Sequence, residues 1–187
     1  MGNIHSAAKA LEKAGYAVRL VGGAGAIGGD MCVLPGVGHF SRCMAELRAS
    51  GLINPLRDWV GSGRPLLGIC VGAQMLLDGS DESDEPGLGL VPGWVKRLDA
   101  ERIPHMGWNH VQPGPAADGL FPVVERYYFV HSFGLAPADP GAVAGQCDYG
   151  GGFCAALAAG SIVATQFHPE KSGRAGLALI ERVKARL

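Results

Sequence analysis

The chain has 187 residues, five of them cysteine, and a formal net charge of −1. That length suits a single α/β domain over residues 1–187, with a core that needs no disulfide or metal staples. The near-neutral balance, without a basic block, gives no electrostatic footprint for nucleic acid or a membrane surface. Cys32, Cys43, Cys70, Cys147 and Cys154 are odd in number and lack C-x-x-C spacing, which argues against a disulfide framework or a zinc site and for a reducing, cytoplasmic setting. Met1–Ser6 has no signal-peptide pattern, and the most apolar stretch, Pro65–Leu77, is too short and too broken by glycine and Gln74 to span a bilayer.

The first element is a helix over His5–Ala14, with Ala7, Ala8, Leu11 and Ala14 at helical spacing and Gly15 as its stop. Tyr16–Val21 reads as a strand, followed by a loose connection carrying glycines 22, 23, 25, 28 and 29. Met31–Leu34 is a short apolar strand ending at Pro35-Gly36, and Phe40–Ser50 and Ile53–Gly61 read as one or two helices. Pro65–Ile69 is a second apolar strand, running into a helix from Val71 to about Leu77. The acidic segment Asp78–Pro86 reads as a solvated turn.

Beyond it, Val95–Leu98, Ile103–Val111, Arg126–Val130, Val143–Tyr149, Phe153–Leu157 and Ile162–Phe167 are strand-like, and a helix over Gly176–Leu187 closes the chain. The pattern predicts an α/β fold. A mostly parallel central sheet is flanked by helices, with additional antiparallel strands in the C-terminal half.

Functional groups in open α/β sheets gather at the carboxyl ends of strands. Cys70 occupies such a place, between an apolar strand and an apolar helix, with Gly68 and Gly72 two residues to either side. That is the pattern of a nucleophile elbow, and a helix N-terminus beside the sulfur favours a thiolate. A small buried core cysteine fits the same residues equally well.

His168 and Glu170 stand two apart after the last strand, so both project to one side if the strand persists, and the carboxylate can orient the imidazole. In isolation the pair also reads as a surface histidine beside a capping glutamate. Gly36 and Gly38 around Val37 allow backbone N–H groups to turn toward a ligand; with Val71 N–H they could form an oxyanion hole. An ordinary tight turn has the same sequence. The conjunction of all three segments favours nucleophilic catalysis.

Gly-Ile-Cys-Val-Gly-Ala-Gln (68–74) and Phe-His-Pro-Glu (167–170) resemble the class I glutamine amidotransferases. Pro-Gly-Val-Gly-His-Phe (35–40), Pro-His-Met-Gly-Trp-Asn (104–109), Tyr-Phe-Val-His-Ser (128–132) and Gln-Phe-His-Pro-Glu-Lys-Ser (166–172) are similar, more narrowly, to the glutaminase subunits of imidazole glycerol phosphate synthases. The resemblance implies a heterodimer without cofactor or metal. Cys70 attacks glutamine, His168 protonates the departing ammonia and Glu170 holds His168. Val37, Gly38 and Val71 line the oxyanion hole, and Gln74 and Ser132 bind glutamine.

It further implies that Asn3, Trp108, Tyr128 and Lys171 face a (β/α)₈ cyclase subunit, although plain core packing would also suit Trp108 and Tyr128. The cyclase takes the ammonia and makes imidazole glycerol phosphate and AICAR in histidine biosynthesis. The glutaminase is expected to idle until its partner binds nucleotide, with Pro35–Gly38 as the switch.

Family members carry a first strand ahead of the Gly-Asn that stands here as Gly2-Asn3, and Phe133 stands where a hydroxyl-bearing aromatic is common. Three rivals compete: a paralogous glutaminase for amidation in surface-polysaccharide biosynthesis, a catalytically impaired regulatory subunit, and a general cysteine hydrolase, which the segment at 104–109 disfavours.

Overall fold

A computed structural model describes residues 4–23 and 27–186. Helix α1 (Ile4–Lys13) buries Ala7, Ala10 and Leu11, and the chain turns at Gly15, whose φ of +83° is the left-handed conformation that ends many helices. The following segment, Tyr16–Val21, is not a strand. It has no ladder partner among the described residues, and extended backbone without one gains no inter-strand hydrogen bonds. Tyr16 and Val18 instead pack against Ala10, Leu11 and Ile180, a small satellite of the core.

Strand β1 (Cys32–Gly36) leads into α2 (Phe40–Ala49) and α3 (Ile53–Gly61), then β2 (Leu66–Cys70) and α4 (Val71–Gln74). The helix α4 is shorter than its apolar run suggests. After one α-type bond from Met75 N–H to Val71 C=O, the next two close the tighter i→i+3 ring, Leu76 to Ala73 and Leu77 to Gln74. The C-terminal half contributes β3 (Gly79–Ser80), β4 (Gly93–Arg97), β5 (His105–Pro113), β6 (Glu125–His131), β7 (Phe133–Pro137), β8 (Val143–Asp148), β9 (Gly152–Ala159) and β10 (Ile162–Thr165), and α5 (Gly173–Arg186) ends it. The sequence signals no strand at β7, because glycine, alanine and proline mask its alternation.

The sheet runs β1-β2-β10-β9-β7-β4-β3, with β5, β6 and β8 curling off it. β2 lies between parallel neighbours β1 and β10; antiparallel pairs then link β10, β9, β7 and β4, and β3 runs parallel to β4 at the far edge. Every residue of β2 is buried, whereas β1 is only half-buried along its length, with a single neighbour among the described strands. This is the mixed α/β architecture expected from the sequence.

The acidic segment does more than meet solvent. Glu82 accepts the Phe40 N–H at the start of α2 at 2.7 Å, Asp81 accepts Trp94 Nε1–H at 2.7 Å, and Glu85 pairs with Arg48. Unsatisfied N–H groups at a helix start attract carboxylates, so this loop is fastened to α2. Among the described residues no helix is long and apolar enough to cross a membrane.

Candidate active site

The parallel register pairs Gly36 with Cys70, bringing the carboxyl ends of β1 and β2 side by side. Cys70 has φ 56° and ψ −115°, an unusual conformation for a residue with a Cβ and the mark of a strained strand-to-helix turn. The flanking glycines make that turn possible. A Cβ on Gly72 would sit 1.8 Å from the Leu34 carbonyl oxygen, and one on Gly68 would sit 2.9 Å from Ala73 Cα. The elbow is thus pressed directly against β1, which fixes the sulfur relative to the Pro35–Gly38 turn. Gly38, with φ +97°, takes a conformation that favours glycine there, and Cys43 Sγ–H donates to the Val37 carbonyl at 3.4 Å.

β10 ends at Thr165, two residues short of its apolar run, and Pro169, which has no N–H for a ladder, opens a 3₁₀ turn, Pro169–Lys171. His168 and Glu170 still meet, but across this turn rather than along a strand: His168 Nδ1 lies 2.7 Å from Glu170 Oε1, with both side chains 1% exposed. The other ring nitrogen is left for Cys70, to which the imidazole is hydrogen-bonded.

Burial by itself pulls the imidazole's pKa down. The hydrogen bonds and charges of Cys70 and Glu170 outweigh burial and hold it up at about 9. A nucleophilic sulfur, a protonated imidazole and an orienting carboxylate in sequence can perform acyl transfer with proton delivery to a leaving amine.

Backbone and side-chain groups around the turn hold it in place. Tyr128 C=O accepts the His168 N–H at 3.0 Å, and Ser172 Oγ accepts the Tyr128 N–H at 2.9 Å while donating to His168 C=O at 2.7 Å. A Cβ on Gly176 would fall 1.9 Å from Pro169 O, so α5 is packed hard onto the turn. Gln166 Nε2 reaches Cys70 Sγ at 3.9 Å and Gln74 reaches Gln166 at 3.1 Å, joining the β10 end to the elbow. Ser132 is half-buried between β6 and β7, and its carbonyl accepts Leu98 N–H.

Trp108, Tyr128 and Lys171 come together at the surface over this turn. The Trp108 and Tyr128 rings meet edge-on at 6.1 Å, and Lys171 Nζ is 5.9 Å from the Tyr128 ring. Trp108 is 48% and its strand neighbour Met106 67% exposed, so core packing does not account for them. Asn3 lies outside the described residues. Among the described residues no cluster of His, Cys, Asp and Glu could hold a metal ion.

The model of the glutamine amidotransferase class-I family matches residues 3–183. The imidazole glycerol phosphate synthase subunit HisH of Rhodopirellula baltica is 45% identical over 188 residues, covering 97% of this chain and 92% of that protein. The HisH subunit of Cutibacterium acnes is 48% identical over 185 residues, covering 97% of this chain and 90% of its own. Among solved structures, a glutamine amidotransferase superposes with a TM-score of 0.76 at 21% identity, covering 98% of this chain and 95% of that one. PurLQS from Thermotoga maritima does so at 0.78 and 19%, covering 99% and 93%; at such identities these likenesses speak to fold alone. Family match, relatives and site agree: this chain belongs to the class-I glutamine amidotransferases.

Proposed function

We propose that the chain is the glutaminase subunit of an imidazole glycerol phosphate synthase, acting in the cytoplasm as one domain and supplying ammonia for histidine biosynthesis. The observation that carries this reading is the assembled site in a chain that shares nearly half its residues with HisH subunits. In it the Cys70 elbow lies against a His168 held by Glu170 at 2.7 Å. Cys70 Sγ attacks the side-chain amide carbon of glutamine, and the carbonyl oxygen gathers negative charge opposite the N–H groups of Val71 and the Val37–Gly38 turn.

His168 gives its Nε2 proton to the nitrogen as the C–N bond breaks, releasing ammonia and leaving a glutamyl thioester. It then takes a proton from water, which attacks the thioester carbon, releases glutamate and restores the sulfur. Glu170 keeps the ring aimed throughout. Gln74 and Ser132 flank the path that the glutamine side chain takes to Cys70.

Ammonia is protonated in neutral water and loses its nucleophilicity, so its use requires a partner that receives it directly. The exposed patch of Met106, Trp108, Tyr128 and Lys171 is where a cyclase subunit, expected to be a (β/α)₈ barrel, would dock. Cys70 at 4% exposure and His168 at 1% form a closed site, which fits a glutaminase that idles until that partner binds nucleotide.

The test is glutamine hydrolysis by the chain mixed with a histidine-pathway cyclase, with and without nucleotide substrate, beside Cys70→Ala. Turnover that needs both partners and vanishes in the variant supports the reading. A folded chain that binds the cyclase yet stays silent would instead be a regulatory subunit.

A further inference from the structure

A chain of polar groups outside the triad, half-exposed at Asn109 and buried from His105 inward, runs from the β8–β9 turn to the nucleophile. Asn109 Nδ2 donates to Asp148 C=O at 2.9 Å and to His105 Nε2 at 3.3 Å. His105 Nδ1 lies 3.1 Å from His131 Nε2, and His131 Nδ1 lies 2.8 Å from Phe133 C=O. The same carbonyl accepts Gln74 Nε2–H at 3.0 Å. Gln74 Nε2 also donates to Gln166 Oε1 at 3.1 Å, and Gln166 Nε2 to Cys70 Sγ at 3.9 Å.

The polarity of this chain is forced from one end. A carbonyl can only accept, so His131 carries its proton on Nδ1, and a neutral ring must then accept at Nε2. His105 therefore donates from Nδ1 and accepts at Nε2, which obliges Asn109 to present its NH₂ group. Asn109 does so, with its Oδ1 taken by the His110 N–H at 2.8 Å.

The rings are held for this purpose. His105 is stacked between Tyr149, at 3.9 Å between centroids, and Phe129, at 4.6 Å. His105 and His131 are 3% and 7% exposed, Gln74 and Gln166 3% and 0%. Burial pushes both histidines down, to about 4 and about 3, so both are neutral near pH 7, as the polarity requires.

We propose that His105 and His131 are positioning residues for glutamine hydrolysis: through the Phe133 carbonyl they fix the amide of Gln74, and through Gln166 the setting of Cys70. This rests on the reading of Cys70 as the glutaminase nucleophile. It gives Phe133 a role through its backbone, which needs no ring hydroxyl. It also ties the β5–β6 hairpin that carries Trp108 to the glutamine site by side chains as well as by sheet. Buried polar chains with every member satisfied hold their groups in one arrangement, and losing a member leaves a neighbour unpaired.

His105→Phe keeps the aromatic stack but removes both hydrogen bonds. His105→Asn retains an N–H near the Nδ1 position and so keeps the link to His131. In the complex with cyclase and nucleotide, His105→Phe is expected to raise the glutamine KM about tenfold with a smaller change in kcat, and His105→Asn to stay within about threefold of wild type. ¹⁵N spectra of the imidazoles provide a readout independent of turnover: both rings are expected as neutral Nδ1–H tautomers in the wild type.

Unchanged KM in a folded His105→Phe protein overturns the proposal, as do Nε2–H tautomers or equal losses in both variants. If His105→Phe fails to fold, Asn109→Leu at the half-exposed end takes its place, with a KM rise of about threefold expected and no change overturning the idea. Cys70→Ala separates the two readings. If it still hydrolyses glutamine, the assignment of the nucleophile fails; if it is dead while KM in the histidine variants is unmoved, only the positioning chain fails.

Discussion

Gly72→Ala is the sharpest test of how the elbow is built. The added Cβ would stand 1.8 Å from Leu34 O, roughly half the 3.4 Å of ordinary contact, and 2.7 Å from Leu34 C, and both atoms belong to β1 backbone that no rotamer change can move. β1 and the elbow must separate, carrying the Pro35–Gly38 turn away from Cys70. Overpacking of this kind costs about 1–3 kcal/mol, tolerable against a total stability of about 5–15 kcal/mol. A displacement on the order of 1 Å at a reacting group costs about 100-fold in rate.

The variant is therefore expected to fold with a lowered denaturation midpoint and to lose about 100-fold of its cyclase-stimulated glutaminase activity. Gly61→Ala is the control, since its Cβ meets nothing within 4 Å. The assays are urea unfolding and steady-state glutamine hydrolysis. Wild-type midpoint and rate in Gly72→Ala would refute the claim that elbow and β1 are in enforced contact.

Glu170→Gln removes the charge that orients His168 and helps hold its pKa at about 9. A raised folded-state value contributes stability that is fully present below about 6.5 and is lost as pH rises through about 9, so the midpoint difference from wild type should shrink across that window. His105 and His131 have the opposite sign. Their values are depressed to about 4 and about 3, so the stability linked to them is present above about 6.5 and drains away as the solution is acidified. Double replacement of the two should flatten that acid limb in a pH series of unfolding curves. Trp108→Ala, at a site 48% exposed, should leave thermal stability nearly unchanged while weakening cyclase binding by about 2 kcal/mol, read by calorimetric titration.

Much of the site was legible because its chemistry sits at strand ends with short-range marks. The Gly68-x-Cys70-x-Gly72 spacing announced the elbow, and the contacts of both glycines bear that out. His168 and Glu170 were paired correctly on the assumption of a continuing strand; Pro169 makes the pairing a turn instead. What escaped was long-range. Nothing local to His105 or Gln166 says that they meet His131 and Gln74, 26 and 92 positions away in sequence. Tyr16–Val21 has a strand's composition, but a strand is made by its neighbour, and none flanks it among the described residues. The acidic loop's ties to Phe40, Trp94 and Arg48 were hidden because a charged turn reads the same whether solvated or fastened.

The central claim is that Cys70 is the acylated nucleophile. The most direct measurement is acid quenching of the chain during turnover with glutamine, cyclase and nucleotide, followed by mass spectrometry of its peptides. The account predicts a glutamyl adduct on the Cys70 peptide, absent from Cys70→Ala and accumulating when the thioester's hydrolysis is slowed in Glu170→Gln. Turnover with no adduct on Cys70, or with the adduct on Cys32, Cys43, Cys147 or Cys154, would contradict it.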